Sequence, residues 1–413
     1  MASATVVVVG GGQAGSDAAA ALRSQGFAGR IVLVGAEDTP PYRRPPLSKQ
    51  YLLVGPETED IALRTESFYG DQEIELWTGE TAVRIDRDAQ RLILASGRQL
   101  RYDHLVLATG SRPRTLSVPG ADLEGVLTLR TLRDAAALRT ALAGAADLLV
   151  VGGGFIGLEV ASVARTLGVR VTVVETRDRL MGRSVSEPTA RYLAELHTAR
   201  GVRLLLSEEL TALHGEDGRV RTAELHHGER LRADTVVAGV GVLPNTTLAA
   251  DAGLEVGDGI LVDARLRTRD PLIHAIGDCA RFPSRYATRQ LRLESVQNAA
   301  DQARFVAGAI HAPDRAAAYE AVPWFWTQQY AERLQIAGIT EGHDRTVTVG
   351  DPAGGRFSVF CFRAGRLIGA ESVNRPADHM ITRRLLAAGD RSVTPDVVAA
   401  PGFDLKQRQL QTA

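Results

Sequence analysis

Two stretches of this chain repeat one local pattern, and that repetition constrains the fold more than any other feature. A β-branched run, residues 5–9, enters Gly10-Gly11-Gly12-Gln13-Ala14-Gly15 and continues as an alanine-rich stretch to Arg23. Residues 147–151 likewise enter Gly152-Gly153-Gly154-Phe155-Ile156-Gly157 and continue through Leu167. Each reads as strand, tight turn, helix, and each is followed by a second strand, residues 30–34 and 170–174, the latter ending in Glu175. The spacing Gly10, Gly12, Gly15 and its counterpart Gly152, Gly154, Gly157 let backbone approach a pyrophosphate, while the helix that follows directs its first amides at the anion. One such turn is weak evidence, because glycine turns into helices also serve packing. Two in the same context predict two dinucleotide-binding units.

The rest of the chain divides around these units. Between Trp77 and Leu107 the pattern shortens to strand-like runs at 81–85, 91–94 and 104–107, a small β element that ends the first unit. Residues 105–107 also form a buried strand that enters the turn Ala108-Thr109-Gly110. Residues 268–276 read as a strand running into Gly277-Asp278. From Val322 onward, strands near 346–349, 356–362 and 367–372 and a helix over 378–388 predict a separate α+β domain. The fold class is α/β, with two Rossmann-like domains and a C-terminal α+β domain.

Composition narrows the function. A formal net charge of -1 gives no general reason to bind nucleic acid or an anionic membrane. Cys279 and Cys361 are the only cysteines, which excludes a disulfide framework, a four-cysteine zinc site and an iron–sulfur cluster held by this chain alone. The nine histidines show no metal spacing, and His226-His227 reads as surface hairpin. No stretch reaches the ~18 uninterrupted apolar residues of a membrane span, and the first apolar run lacks the form of a signal peptide. The reading is a cytoplasmic protein. Of 48 basic residues only Lys49 and Lys406 are lysine. A surviving lysine marks a position where a compact ammonium serves and a broad guanidinium does not.

The acid that closes a second strand selects the ribose. Glu175 stands 18 residues after Gly157, where its carboxylate accepts from a free 2'-hydroxyl and repels a 2'-phosphate, which favours NADH over NADPH. Arg177 is the counter-signal, since a guanidinium can pair with that phosphate. The first unit then takes the other dinucleotide, FAD, with Asp278 at a strand end as a contact for its ribityl or pyrophosphate region.

Together these residues resemble the flavoprotein reductases of bacterial oxygenase systems, the putidaredoxin-reductase and biphenyl-dioxygenase-ferredoxin-reductase family of the glutathione-reductase superfamily. The likeness runs along the whole chain through the two glycine turns, Tyr42-Arg43-Arg44-Pro45-Pro46-Leu47-Ser48-Lys49, Leu129-Arg130-Thr131, Gly277-Asp278 and Pro323-Trp324-Phe325-Trp326. It implies an FAD domain, 1–112 and 242–320, split by an NADH domain, 113–241, with a flavin-covering domain at 321–413. By position, Arg44, Lys49, Val83, Arg130, Asp278, Glu294, Ser295 and Val296 would contact FAD beside Gly10, Gly12, Ala14, Gly15, Ala108, Thr109 and Gly110. Gly152, Gly154, Phe155, Ile156, Gly157, Glu159, Glu175 and Gly241 would contact NADH, and Trp326 would lie near the isoalloxazine or nicotinamide. Two departures stand out. Ala36 occupies the usual place of the acid for the adenosine ribose, with Glu37 next to it as a substitute. Thr327-Gln328-Gln329 follows Trp326 where relatives often read Ser-Asp-Gln, which removes a carboxylate.

Hydride transfer from nicotinamide to flavin needs alignment more than acid–base groups. The expected arrangement is an ion pair of Lys49 and Glu159 near flavin N5, with Trp326 beside it. Disulfide reductases of the superfamily carry a redox cysteine pair near the first flavin loop, whereas here that loop reads Pro40-Pro41-Tyr42-Arg43-Arg44. With no thiol relay, electrons pass directly to an external one-electron acceptor, read as a 2Fe-2S ferredoxin serving an oxygenase. Ferredoxins are usually acidic, so the contact is transient and electrostatic, with Arg289, Arg292, Arg333, Arg383 and Arg384 as candidates. The chain reads as a monomer or weak homodimer. The competing readings are a rubredoxin reductase or NADH oxidase and, in a different class, a flavin redox sensor resembling apoptosis-inducing factor.

Overall fold

The computed structural model describes residues 4–55, 61–315 and 317–412. They form two compact units, one from the described residues within 1–43, 56–112 and 243–321, the other from those within 44–55, 113–242 and 322–413.

The first unit is built on a five-stranded parallel sheet in the order Ile273–Ala275, His104–Leu107, Thr5–Val9, Arg30–Val34, Ile74–Trp77. Val6, Val7 and Val8 are wholly buried, as are Val32, Leu33 and Leu105 to Leu107. Near-continuous apolar runs of this kind are what a sheet covered on both faces demands. The strand His104–Leu107 is therefore a central strand beside Thr5–Val9, not part of the small β element, which instead consists of Ala82–Asp86, Arg91–Leu94 and Gln99–Arg101. The expected long strand over 268–276 is also corrected. Only Ile273–Ala275 is strand, because Asp270 and Pro271 turn the chain: Asp270 N donates to Thr268 Oγ1 at 3.1 Å and Leu272 N to Asp270 Oδ1 at 3.1 Å. The helices Gln13–Ser24 and Val296–His311 belong to this unit.

The second unit holds another five-stranded parallel sheet, ordered Arg203–Leu206, Arg170–Glu175, Asp147–Val151, Thr235–Ala238, Val126–Leu127. The helix Phe155–Thr166 follows its central strand. Residues 322–413 contribute a five-stranded antiparallel sheet, ordered Trp324–Gln329, Glu332–Gly338, Arg366–Val373, Arg356–Arg363, Arg345–Asp351, with the helix Pro376–Ala388. One apolar cluster joins Leu158, Leu180, Val185 and Leu193 to Leu334, Phe357, Val359 and Val373, so this sheet shares a core with the helices Phe155–Thr166 and Glu187–Ala199. A buried polar contact sits in the same seam: Ser186 donates from N and from Oγ to the two oxygens of Glu371, at 2.8 and 2.6 Å. The short segment 44–55 enters this unit as the 3-10 turn Pro45–Ser48 and the helix Gln50–Val54, with Leu52 in the core of the parallel sheet.

Candidate functional site

In both glycine turns the three glycines do different work. Gly10 has φ +124, and a Cβ there would stand 2.0 Å from the carbonyl oxygen of Ala108; one at Gly15 would stand 1.9 Å from the oxygen of Gly10. Those two are fixed by packing. At Gly12 a Cβ would meet nothing within 4 Å, although this residue opens the helix Gln13–Ser24. The second turn has the same division. Gly152, with φ +103, faces the oxygen of Gly239 at 2.5 Å and Gly157 that of Gly152 at 2.4 Å, whereas the nearest atom to a Cβ at Gly154 is 3.9 Å away. Open backbone at the middle glycine, beside free helix amides, is the room a pyrophosphate requires. Both turns fit a dinucleotide on this ground.

Around the first turn the fold gathers several of the expected residues. Gly277, with φ +73, packs so that its Cβ would lie 3.0 Å from that of Ala14, which brings Asp278 to the mouth of the turn. Ser111 Oγ donates to Asp278 Oδ2 at 2.9 Å, and Gln302 Oε1 accepts from Gly277 N at 2.7 Å. Thr109 and Gly110 are tied to Asn245 by three bonds: Thr109 Oγ1 to Asn245 O, Asn245 Nδ2 to Thr109 O and Asn245 N to Gly110 O. Glu37 Oε2 accepts from the hydroxyl of Tyr42 at 2.5 Å, and neighbouring Ala36 is exposed. Val83 and Val296 are apolar yet open, at 48% and 38% exposure. Ser295 caps the helix Val296–His311 by accepting from Asn298 N, and Glu294 pairs with Arg292 at 2.7 Å.

Around the second turn, Glu175 clasps the backbone. Its Oε2 accepts from Gly153 N at 2.8 Å and its Oε1 from Arg177 N at 2.9 Å, which holds an acceptor beside the open glycine. Phe155 packs against Phe325 with ring centroids 4.5 Å apart, and Ile156 is 45% exposed at the start of its helix. Gly241, with φ +100, accepts at its carbonyl from Arg114 N. Arg44 donates to the carbonyl of Arg130 at 2.6 Å.

The second unit also brings together the three residues expected to carry the chemistry. Lys49 Nζ lies 2.6 Å from Glu159 Oε2. Glu159 is almost fully buried, and its other donors are Ser48 Oγ at 2.5 Å and Thr327 Oγ1 at 2.6 Å. A carboxylate taken from water in this way is stabilised only by the cation and hydroxyls arranged about it. Lys49 also donates to Pro45 O at 3.2 Å, and its ammonium stands 5.2 Å from the centre of the Trp326 ring, which has the Arg333 guanidinium at 5.7 Å. Ser48 and Thr327 lie inside sequence motifs that by themselves give neither a role. A buried acid on the helix Phe155–Thr166 needs hydroxyl donors, and that need was the available signal.

Both thiols are buried, and burial pushes each above the ordinary cysteine range, so neither is a ready nucleophile. Among the described residues no group of His, Cys, Asp and Glu has the form of a metal site, and no helix is long and apolar enough to cross a membrane.

This geometry agrees with what the chain is similar to. Residues 4–303 match the family described as pyridine nucleotide-disulphide oxidoreductase, and residues 324–408 match a reductase C-terminal family. Rhodocoxin reductase of Rhodococcus erythropolis is 48% identical over 97% of this chain and 93% of its own length. The crystal structure of the ferredoxin reductase for the CYP199A2 system from Rhodopseudomonas palustris has a TM-score of 0.95 at 46% identity, covering 98% of this chain and 99% of that one. The reductase in the covalent putidaredoxin reductase–putidaredoxin complex has a TM-score of 0.94 at 39% identity, covering 100% and 99%. Paired open glycine turns, a buried Lys49–Glu159 pair and a match over both regions lead to one conclusion: the chain belongs to the pyridine nucleotide-disulphide oxidoreductase family, in the form that carries a reductase C-terminal domain.

Proposed function

We propose that this protein is an NADH:ferredoxin reductase, which takes hydride from NADH onto FAD and delivers single electrons to a 2Fe-2S ferredoxin that serves an oxygenase. FAD supplies the conversion between a two-electron donor and a one-electron acceptor. The observation that carries the reading is the Lys49–Glu159 pair beside Trp326, in a chain whose two thiols are sealed in the core. A fixed cation–carboxylate pair orients charge at the reacting cofactors, and no sulfur is available to relay electrons.

Residues 1–112 and 242–320 are assigned to FAD, 113–241 to NADH and 321–413 to the cover over the flavin. In the FAD domain Gly12 leaves room for the pyrophosphate, Asp278 and the Thr109-Gly110 turn approach it, and Glu37 takes the place of the missing acid at Ala36. Val83, Glu294, Ser295 and Val296 complete the proposed set, together with Arg44, Lys49 and Arg130. For NADH, Gly154 and the first amides of the helix Phe155–Thr166 hold the pyrophosphate, Glu175 accepts from the ribose 2'-hydroxyl, and Phe155, Ile156, Glu159 and Gly241 orient the rest. Choice of NADH over NADPH rests on Glu175 being committed to Gly153 as an anchored acceptor.

The ferredoxin contact is assigned to exposed arginines of the C-terminal domain, Arg333 and Arg384, beside Arg383 over the Trp324 ring at 4.7 Å. Arg289 remains in the set. Arg292 leaves it, because its side chain is 10% exposed and paired with both Asp258 and Glu294. The working form proposed is a cytoplasmic monomer or weak homodimer. The test is anaerobic and aerobic turnover of the FAD-loaded protein with NADH, with and without a 2Fe-2S ferredoxin. Rapid ferredoxin reduction with little peroxide is expected, and fast peroxide formation that ferredoxin does not suppress would make the protein an oxidase.

A further inference from the structure

The Glu159 carboxylate is the end point of a chain of hydrogen bonds that all run one way. Thr327 Oγ1 lies 2.6 Å from Glu159 Oε1. Gln329 Nε2 lies 3.5 Å from Thr327 Oγ1, and Gln329 Oε1 lies 2.8 Å from His197 Nε2. Thr327, Gln329 and His197 are all buried. A carboxylate can only accept, so the single hydroxyl proton of Thr327 is committed to Glu159. With that proton committed, Gln329 can bond the oxygen of Thr327 only by donating, which sets its amide nitrogen toward Thr327 and its oxygen toward His197. An amide oxygen accepts, so His197 carries its proton on Nε2. Its Nδ1 is buried without a partner, so a proton there would have nothing to accept it, and burial pushes the pKa of the ring down. Hydrogen bonds aligned in series polarise one another in a low-dielectric interior, and here all three point at one charge.

We propose that Thr327 is a positioning residue for flavin reduction: with Gln329 and His197 behind it, it fixes the Glu159 carboxylate so that Oε2 is presented to Lys49. Oε2 takes Lys49 at 2.6 Å and Ser48 at 2.5 Å, while Oε1 takes Thr327. Without the threonine proton the carboxylate is free to turn, and the ammonium loses a fixed counter-charge. Thr327 stands next to Trp326 on the strand Trp324–Gln329, whose opposite end carries Gln329, so one strand sets both the ring and the acid. His197 belongs to the helix Glu187–Ala199, which places the far end of the chain in the parallel-sheet part of the unit. This rests on the reductase reading above.

The test compares Thr327→Val, close in shape but without the hydroxyl, with Thr327→Ser, which restores it. Both are loaded with FAD, and the midpoint potential of the bound flavin is measured by spectroelectrochemistry, with no NADH or acceptor present. Flavin reduction by NADH is then followed in a stopped-flow instrument. The valine variant is expected to bind FAD, to show a shifted potential, and to be reduced about tenfold more slowly at saturating NADH, as loss of a hydrogen bond to a charged group implies. The serine variant is expected to recover both. Nitrogen-15 NMR of His197 should report the proton on Nε2 in wild type. The relay is overturned by a valine variant with the wild-type potential and rate, by a serine variant as impaired as valine, or by a proton on Nδ1. A wild type that NADH leaves oxidised overturns the reductase reading instead, and the potentials of the two variants still judge the relay.

Discussion

Lys49 and Glu159 lie 110 positions apart in sequence, yet their side chains meet at 2.6 Å, with the carboxylate only 3% exposed. Removing one partner of such a pair leaves the other charge buried and uncompensated, at a cost of roughly 3–5 kcal/mol. Lys49→Met should therefore lower the melting temperature, and adding Glu159→Gln should recover much of the loss. On the proposed placement of this pair at the flavin, Lys49→Met should slow flavin reduction by NADH by about 10²-fold. Thermal unfolding and stopped-flow absorbance check the two effects separately, and equal rates in wild type and Lys49→Met would remove the lysine from the mechanism.

Glycines of one motif should fail in different ways. Gly15→Ala places a methyl 1.9 Å from a backbone oxygen and should cost the FAD unit its stability. Gly12→Ala meets no protein atom, so the protein should fold and melt almost normally while losing FAD. Gly154→Ala should keep FAD and raise the NADH KM. Flavin content after desalting, read beside circular dichroism, distinguishes the three.

Glu175 holds Gly153 N at 2.8 Å, and the proposed partner of its carboxylate is the NADH ribose. Glu175→Gln should raise the NADH KM by about tenfold, with kcat nearly unchanged, and should narrow the preference for NADH over NADPH. Steady-state kinetics with both nucleotides is the check. An unchanged preference would mean that Glu175 does not select against the 2'-phosphate.

Much of this was legible in the sequence, and the exceptions share a cause. Strand, turn and helix around Gly10 and Gly152 are local, so spacing alone identified them. The pairing of Lys49 with Glu159 followed from the resemblance and from the rarity of lysine. Residues 268–276 read as one strand because their apolar pattern hid the turn that Asp270 and Pro271 impose. His104–Leu107 follows two short strand-like runs in sequence, yet its wholly buried Leu105 to Leu107 belong to a central strand. Gln329 and His197 are 132 positions apart, and no local pattern joins them. Their bond exists because the C-terminal sheet and the helix Glu187–Ala199 share one apolar cluster, with Leu334, Phe357 and Leu193 among its members.

Two buried histidines should make stability fall in mild acid. Burial pushes His379 down to about 4 and His274 to about 3, from an ordinary value of 6.5, with nearby cations adding to both. The unfolded chain takes up these protons first, so stability is fully present above about pH 6.5 and declines as pH falls toward 4. Each histidine contributes on the order of 3 kcal/mol to that decline. Urea midpoints at pH 7 and pH 4.5 should differ accordingly, and His379→Phe should flatten the dependence; a midpoint that is constant across this range would contradict it.

Direct delivery of electrons from flavin to ferredoxin is the centre of the account, and alkylation tests it most directly. The native FAD-loaded protein is treated with a thiol-alkylating reagent and then mixed anaerobically with NADH and a 2Fe-2S ferredoxin in a stopped-flow instrument. Because Cys279 and Cys361 are sealed in the core, the rates of flavin and ferredoxin reduction should equal those of untreated protein. Loss of ferredoxin reduction on alkylation, with flavin reduction by NADH intact, would mean that sulfur stands on the electron path and would contradict the account.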